Sequence, residues 1–148
     1  MKIMEKRIAV SGYFDPLHVG HIEYFKLAKA LGDKLIVILN NDKQCILKKG
    51  GYFMSQEQRR TILEAIKYVG EVYMSIDNDG TVCKSLQVVH PDIFAKGGDR
   101  YEYEIPETDI CKKLGIKIVD GLGKKIQSSS ELVEKSESKI KKDFNKTG

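Results

Sequence analysis

The stretch Gly12-Tyr13-Phe14-Asp15-Pro16-Leu17-His18-Val19-Gly20-His21 concentrates more chemical capacity than any other part of the chain. Two histidines three positions apart at the start of a helix project from one face, beside backbone N–H groups that have no partner within the helix. Those exposed donors and the helix dipole both favour negative charge, so such a terminus attracts phosphate. Gly20 keeps the surface between the imidazoles bare and lets a phosphate approach the backbone. His18 and His21 are therefore expected to form an electropositive cradle for phosphate, bordered by Gly12, Tyr13 and Phe14. Asp15 is expected to form the turn that holds the histidine loop, within reach of a metal through water. A lone histidine is more often a surface or capping residue, but here a pair coincides with flanking glycines and a preceding apolar run.

That run, Arg7 to Gly12 (RIAVSG), and a second, Lys34 to Asn40 (KLIVILN), are short, apolar and β-branched, as buried parallel strands are. Between them Ile22, Phe25, Ala28 and Leu31 recur at a spacing of three, with Gly32 placed as a helix C-cap. The pattern is a βαβ unit. Ser55-Gln56-Glu57-Gln58 has the form of a capping box and opens a second helix with Ile62, Leu63, Ala65 and Ile66 inward, ending near Gly70. A strand at Glu71 to Met74, a helix from about Thr81 to Val88 and a strand at Asp92 to Lys96 follow. Pro106 suits the first turn of a helix that runs to Leu114 and stops at Gly115, before a last strand at Lys117 to Asp120. Alternation of this kind predicts an α/β fold with one open parallel sheet and helices on both faces, binding ligands beyond the carboxyl ends of its strands. Residues 1–130 are expected to form that domain and residues 131–148, rich in Lys, Glu and Ser, a charged C-terminal helix or tail.

A length of 148 residues suits one core. Hydrophobic residues at 41% and charged residues at 31% are ordinary for a globular protein. No apolar run approaches the roughly 20 residues of a spanning helix, and the N-terminus lacks a signal-peptide core, so a cytoplasmic protein without a membrane partner is expected. Cys45, Cys83 and Cys111 are dispersed and odd in number, which indicates neither a disulfide framework nor a zinc site. The net charge of +4 gathers in pairs such as Lys48-Lys49 and Lys124-Lys125, next to glycines or serines, which suits phosphate better than a nucleic-acid groove.

GYFDPLHVGH resembles the G-x-F-D-x-x-H-x-G-H signature of the cytidylyltransferase-like nucleotidyltransferases, and the likeness runs from about Arg7 to Lys135. Ser55 to Val72 resembles the corresponding helix of glycerol-3-phosphate cytidylyltransferase, Ala95 to Arg100 (AKGGDR) resembles a stretch of the adenylyltransferase domain of ADP-heptose synthase, and QSSSELVEK resembles a family helix start. The resemblance implies a Rossmann-like fold and transfer of CMP or AMP, from CTP or ATP, to a small phosphorylated acceptor such as glycerol 3-phosphate or a sugar phosphate, with Mg²⁺ and release of pyrophosphate. It implies that His18 and His21 hold the α- and β-phosphates and that Lys48 or Lys49, in a mobile loop ahead of Gly50, closes over them. Gln127, Ser128, Ser129 and Ser130 would bind the β- and γ-phosphates, Lys96, Gly97, Gly98 and Asp99 would border base and ribose, and Arg59 would support the phosphates or the acceptor. Where the cytidylyltransferases carry an arginine before the serine run, this chain has Lys124 and Lys125; Lys125 could replace the charge but not the bidentate fork. Homodimers are common in the family, and one is expected here.

Two rivals stand beside this reading. HVGH also resembles the H-I-G-H element of class I aminoacyl-tRNA synthetases, although no K-M-S-K-S-like loop appears. The other is a catalytically silent nucleotide-binding regulatory module.

Overall fold

The computed structural model describes residues 4–97 and 105–122. Along them run β1 (Arg7–Gly12), α1 (Val19–Lys29), β2 (Lys34–Leu39), α2 (Asp42–Lys49), α3 (Gln56–Glu64), β3 (Glu71–Met74), α4 (Cys83–Val89), β4 (Ile93–Gly97), α5 (Thr108–Leu114) and β5 (Lys117–Leu122). The five strands form one sheet in the order β3-β2-β1-β4-β5. Every pairing is parallel, with Arg7 to Gly12 in register with Lys34 to Leu39. A register shift between Ala95 and Gly97 loosens β4 from β5 at the end nearest the site.

Parallel strands covered on both faces read as continuous apolar runs, and Leu35 to Leu39 are all wholly buried. Their side chains alternate between two cores. Ile8, Val10, Leu35, Val37 and Leu39 pack with Phe25 and Ala28 of α1 and Leu63 of α3. Ala9, Ile36, Ile38 and Phe94 pack on the other face with Leu86 and Val89 of α4 and Cys111 of α5. The expected α/β sheet with helices on both faces is therefore present.

Several local expectations are corrected. The buried residues of α1 are Phe25 and Ala28, with half-buried His21 packing edge-on against Phe14, and Ile22 is left exposed. Gly32 is not a C-cap: α1 closes at Ala30 in right-handed conformation. Gly32 is there for space, since a Cβ would lie 2.2 Å from Ile8 Cδ1 and 2.9 Å from the Lys6 carbonyl oxygen. The Ser55 capping box forms as read, but α3 ends at Glu64, with Ile62 and Ala65 exposed and Leu63 and Ile66 against the core. Pro106 lies in a turn ahead of α5, whereas Gly115 does end that helix at φ 72°.

The region expected to be a mobile loop contains α2. Asn41 caps it by accepting the N–H of Gln44 at 2.9 Å, and the Gln44 side chain returns the bond to the Asn41 N–H at 3.0 Å. Lys48 and Lys49 form its last turn, where cations complement the helix dipole, and Gly50 at φ 80° terminates it.

Gly32→Ala is expected to destabilise the protein by about 1–3 kcal/mol, the cost of overpacking against a filled core and a backbone oxygen. Urea unfolding of the variant checks this.

Candidate active site

Five parallel strands bring their carboxyl ends to one rim, and the central strand, β1, runs straight into the histidine loop. His18 is the N-cap of α1, and its Nδ1 accepts the Gly20 N–H at 3.1 Å. His21 Nδ1 accepts the His18 N–H at 3.1 Å. An imidazole whose Nδ1 accepts must carry its proton on Nε2 when neutral. Both rings therefore present Nε2–H as a donor. They stack with centroids 3.8 Å apart. Burial, and then the proximity of His18, hold His21 down at about 4, and burial lowers His18 as well. The cradle is thus electropositive through oriented N–H dipoles rather than through charged imidazolium. His18 Nε2 is buried with no hydrogen-bond partner, a donor awaiting an acceptor.

The loop that carries these rings is held in an uncommon conformation. Phe14 has φ 51°, costly for a bulky residue, and its ring meets His21 at 5.0 Å and Phe25 at 5.3 Å. A Cβ on Gly12 would stand 2.7 Å from that ring, so glycine there makes room for Phe14. Asp15 fixes the next position: Oδ2 accepts the Phe53 N–H and Oδ1 the Met54 N–H, both at 2.7 Å, and Lys49 Nζ lies 3.2 Å from Oδ2. Burial works to raise the Asp15 carboxyl, but the two N–H donors and the ammonium outweigh it and hold it below its ordinary value. With both oxygens engaged and the side chain wholly buried, Asp15 ties the histidine loop to the segment before α3.

Arg59 is also wholly buried. Its guanidinium donates to the carbonyls of Tyr13 at 2.8 Å, Asn40 at 2.7 Å and Met54 at 3.0 Å, and to Asp42 Oδ1 at 2.8 Å. Arg59 and Phe14, both expected at the nucleotide or acceptor site, have buried side chains that build the site from behind. Asp42 and the Asn41 cap were missed in the sequence, although Asn41-Asp42-Lys43-Gln44 carries the N-x-x-Q form of a capping box.

The structure brings several expected residues to this rim. Lys48 Nζ stands 4.5 Å from the centre of the Tyr13 ring and Lys49 Nζ 5.9 Å, so both ammonium groups border the loop. Lys96, at the tip of β4, donates to Ser11 Oγ at 3.1 Å. Gly97 leaves room for Tyr24, whose ring would lie 3.1 Å from an added Cβ and whose hydroxyl donates to the Ala95 carbonyl. Gly98, Asp99, Lys125, Gln127, Ser128, Ser129, Ser130 and the charged tail lie outside the described residues. Among the described residues no group of three or more His, Cys, Asp or Glu could hold a metal ion.

The stacked histidine pair lies within the GYFDPLHVGH stretch at the start of α1, and residues 9–144 match the cytidylyltransferase-like family profile. The chain belongs to the cytidylyltransferase-like family. It is 35% identical to the FAD synthase of Ferroglobus placidus over 112 residues, covering 76% of this chain and 72% of that one. It is 42% identical to the FAD synthase of Thermococcus kodakarensis over 97 residues, 64% of each. The bifunctional protein HldE of Wolinella succinogenes is 34% identical over 132 residues, which are 88% of this chain but only 27% of HldE. The solved structure of the lipopolysaccharide core biosynthesis protein from Thermoplasma volcanium superposes with a TM-score of 0.70 at 28% identity, over 82% of this chain and 98% of that one. This member of the family is a nucleotidyltransferase.

Two outcomes follow for the loop and its supports. Arg59→Met strands three carbonyls and the Asp42 carboxylate, and is expected to cost about 3–5 kcal/mol in urea unfolding. In the unfolded chain histidine titrates near 6.5, whereas native His21 stays neutral down to about 4. Between those values the unfolded state binds the extra proton, so stability is full above the window and falls as pH drops through it. Thermal melts between about pH 7 and about pH 4.5 should show that fall, with a shallower slope in His21→Gln.

Proposed function

We propose that this enzyme transfers AMP from ATP to the phosphate of a small acceptor, releasing pyrophosphate. The observation that carries the reading is the pair of neutral, stacked imidazoles, both tautomers set by backbone N–H groups, with His18 Nε2–H buried and unsatisfied. The names of the relatives support ATP over CTP: FAD is FMN joined to an adenylyl unit, and the HldE resemblance is to an adenylyltransferase domain. An ionised acceptor phosphate needs no general base. One of its oxygens attacks the α-phosphorus in line as the bond to the bridging oxygen breaks, and pyrophosphate leaves with the electron pair. The protein's part is to place the two phosphates and stabilise the charge that develops. His18 and His21 donate to the α- and β-phosphates, and Lys48 and Lys49 flank them. For Lys49 this means exchanging the Asp15 carboxylate for a phosphate oxygen. Gly20, Lys96, Gly97, Gly98 and Asp99 border the nucleotide, and the serine run at 128–130 takes the far phosphates.

The donor set fits Mg²⁺ carried by the triphosphate, since N–H groups and ammoniums face the anion and few protein ligands are then needed. Bound so, Mg²⁺ would neutralise charge on the leaving pyrophosphate. No helix among the described residues is long and apolar enough to cross a membrane. A homodimer is proposed on the exposed apolar side chains of α2 and the segment after it, Ile46, Leu47, Tyr52 and Phe53.

With ATP, CTP, GTP and UTP offered beside FMN, glycerol 3-phosphate and mannose 1-phosphate, pyrophosphate release should be fastest with ATP. His18→Ala and His21→Ala should each lower turnover by about 10²-fold or more, the scale for loss of a preorganised donor. Wild-type rates in both variants would remove the histidines from the mechanism.

A further inference from the structure

Among the described residues two buried side-chain atoms lack a hydrogen-bond partner, Nε2 of His18 and Oε2 of Glu107. The first is a donor and belongs to the phosphate cradle. The second is an acceptor, and it lies elsewhere. Glu107 immediately precedes α5 and is 4% exposed, and its Oε1 accepts the N–H of Val82, the N-cap residue of α4, at 3.2 Å. It therefore spans the heads of α4 and α5, at the same rim as the histidines but on the opposite face of the sheet. Its charge reaches across that rim. Burial and then Glu107 push the Cys111 thiol up to about 12, and after burial and Cys45, Glu107 and Asp79 raise Tyr13. Tyr13 opens the histidine loop, which leaves the same rim as the heads of α4 and α5.

A buried carboxylate oxygen without a partner costs free energy until something donates to it. An acidic corner also repels a polyanion, so neither feature suits the triphosphate. Both suit a ligand that presents hydroxyl groups. In-line displacement brings the acceptor in from the side of the α-phosphorus away from pyrophosphate. We infer that Glu107 is a specificity-determining residue for the acceptor, its Oε2 accepting a hydrogen bond from a hydroxyl on the acceptor's carbon skeleton while the same molecule's phosphate lies toward the histidine loop. The inference rests on the transferase reading above and narrows its acceptor to a polyhydroxylated phosphate ester. Bonds to a charged acceptor are about twice as strong as neutral ones, so one of them can select a substrate.

Glu107→Gln separates this role from a structural one, because the amide oxygen still accepts the Val82 N–H while the other position becomes a donor. With whichever of FMN, glycerol 3-phosphate or mannose 1-phosphate turns over, KM for the acceptor should rise about 10-fold or more. KM for ATP, kcat and the melting temperature should stay close to wild type, as for loss of a contact made equally in ground and transition states. An analogue lacking the hydroxyl should lose ground with the wild type and nothing further with the variant. An unchanged acceptor KM, as when water satisfies Oε2, would overturn the inference, and so would equal rises in both KM values with a lower melting temperature. A wild type inactive on all three acceptors sinks the transferase reading instead. Thermal shifts by the same three compounds then decide on Glu107: a shift lost in the variant supports it, and equal shifts or none overturn it.

Discussion

A guanidinium taken out of water must place its N–H groups on acceptors, and Arg59 finds four of them on three separate segments. Tyr13 lies just beyond β1, Asn40 just beyond β2, Asp42 at the head of α2 and Met54 just before α3. No hydrophobic contact could hold these ends in one arrangement, because each presents a polar backbone or carboxylate atom. One planar group with fixed donor directions can. The Asp15 carboxylate adds a second tie between the histidine loop and the segment before α3. Between them, two buried charges of opposite sign offset the strained backbone at Phe14 and hold the imidazoles in place.

The polarity of the site follows from that rigidity. An imidazolium would repel its stacked neighbour and would lose solvation in a half-buried loop, so both rings stay neutral. Backbone N–H groups occupy both Nδ1 atoms and leave the proton of each neutral ring on Nε2, that of His18 buried and without a partner. The free protein thus holds donors at the start of α1 without confining positive charge there. The permanent charges, Lys48 and Lys49, stand at the end of α2 and over the Tyr13 ring.

The sheet, its parallel sense and the position of the histidines were legible in the sequence because each rests on a local pattern. Apolar runs at residues 7–12 and 34–39, a box at Ser55 and a terminating Gly115 need no distant partner to be read. Helix α2 escaped because its residues are mostly polar, and its stability comes from reciprocal caps and from Gln44, which reaches the carbonyls of Asp79 and Thr81. Arg59 was noticed but assigned to the ligand, since a sequence does not reveal that a charged side chain is enclosed by backbone carbonyls drawn from residues 13, 40 and 54. Glu107 went unremarked for the same reason: its burial depends on how the heads of two helices meet.

All five strands finish on a single rim, and short segments leave it toward the helices. The packed interior lies below, in two layers on either side of the sheet. Evolution can therefore exchange or lengthen a rim segment, such as the turn between β3 and α4, without disturbing the interdigitated layers beneath. The architecture separates the inheritance of the scaffold from the inheritance of its rim, and lets a lineage change one rim segment while keeping the histidine loop.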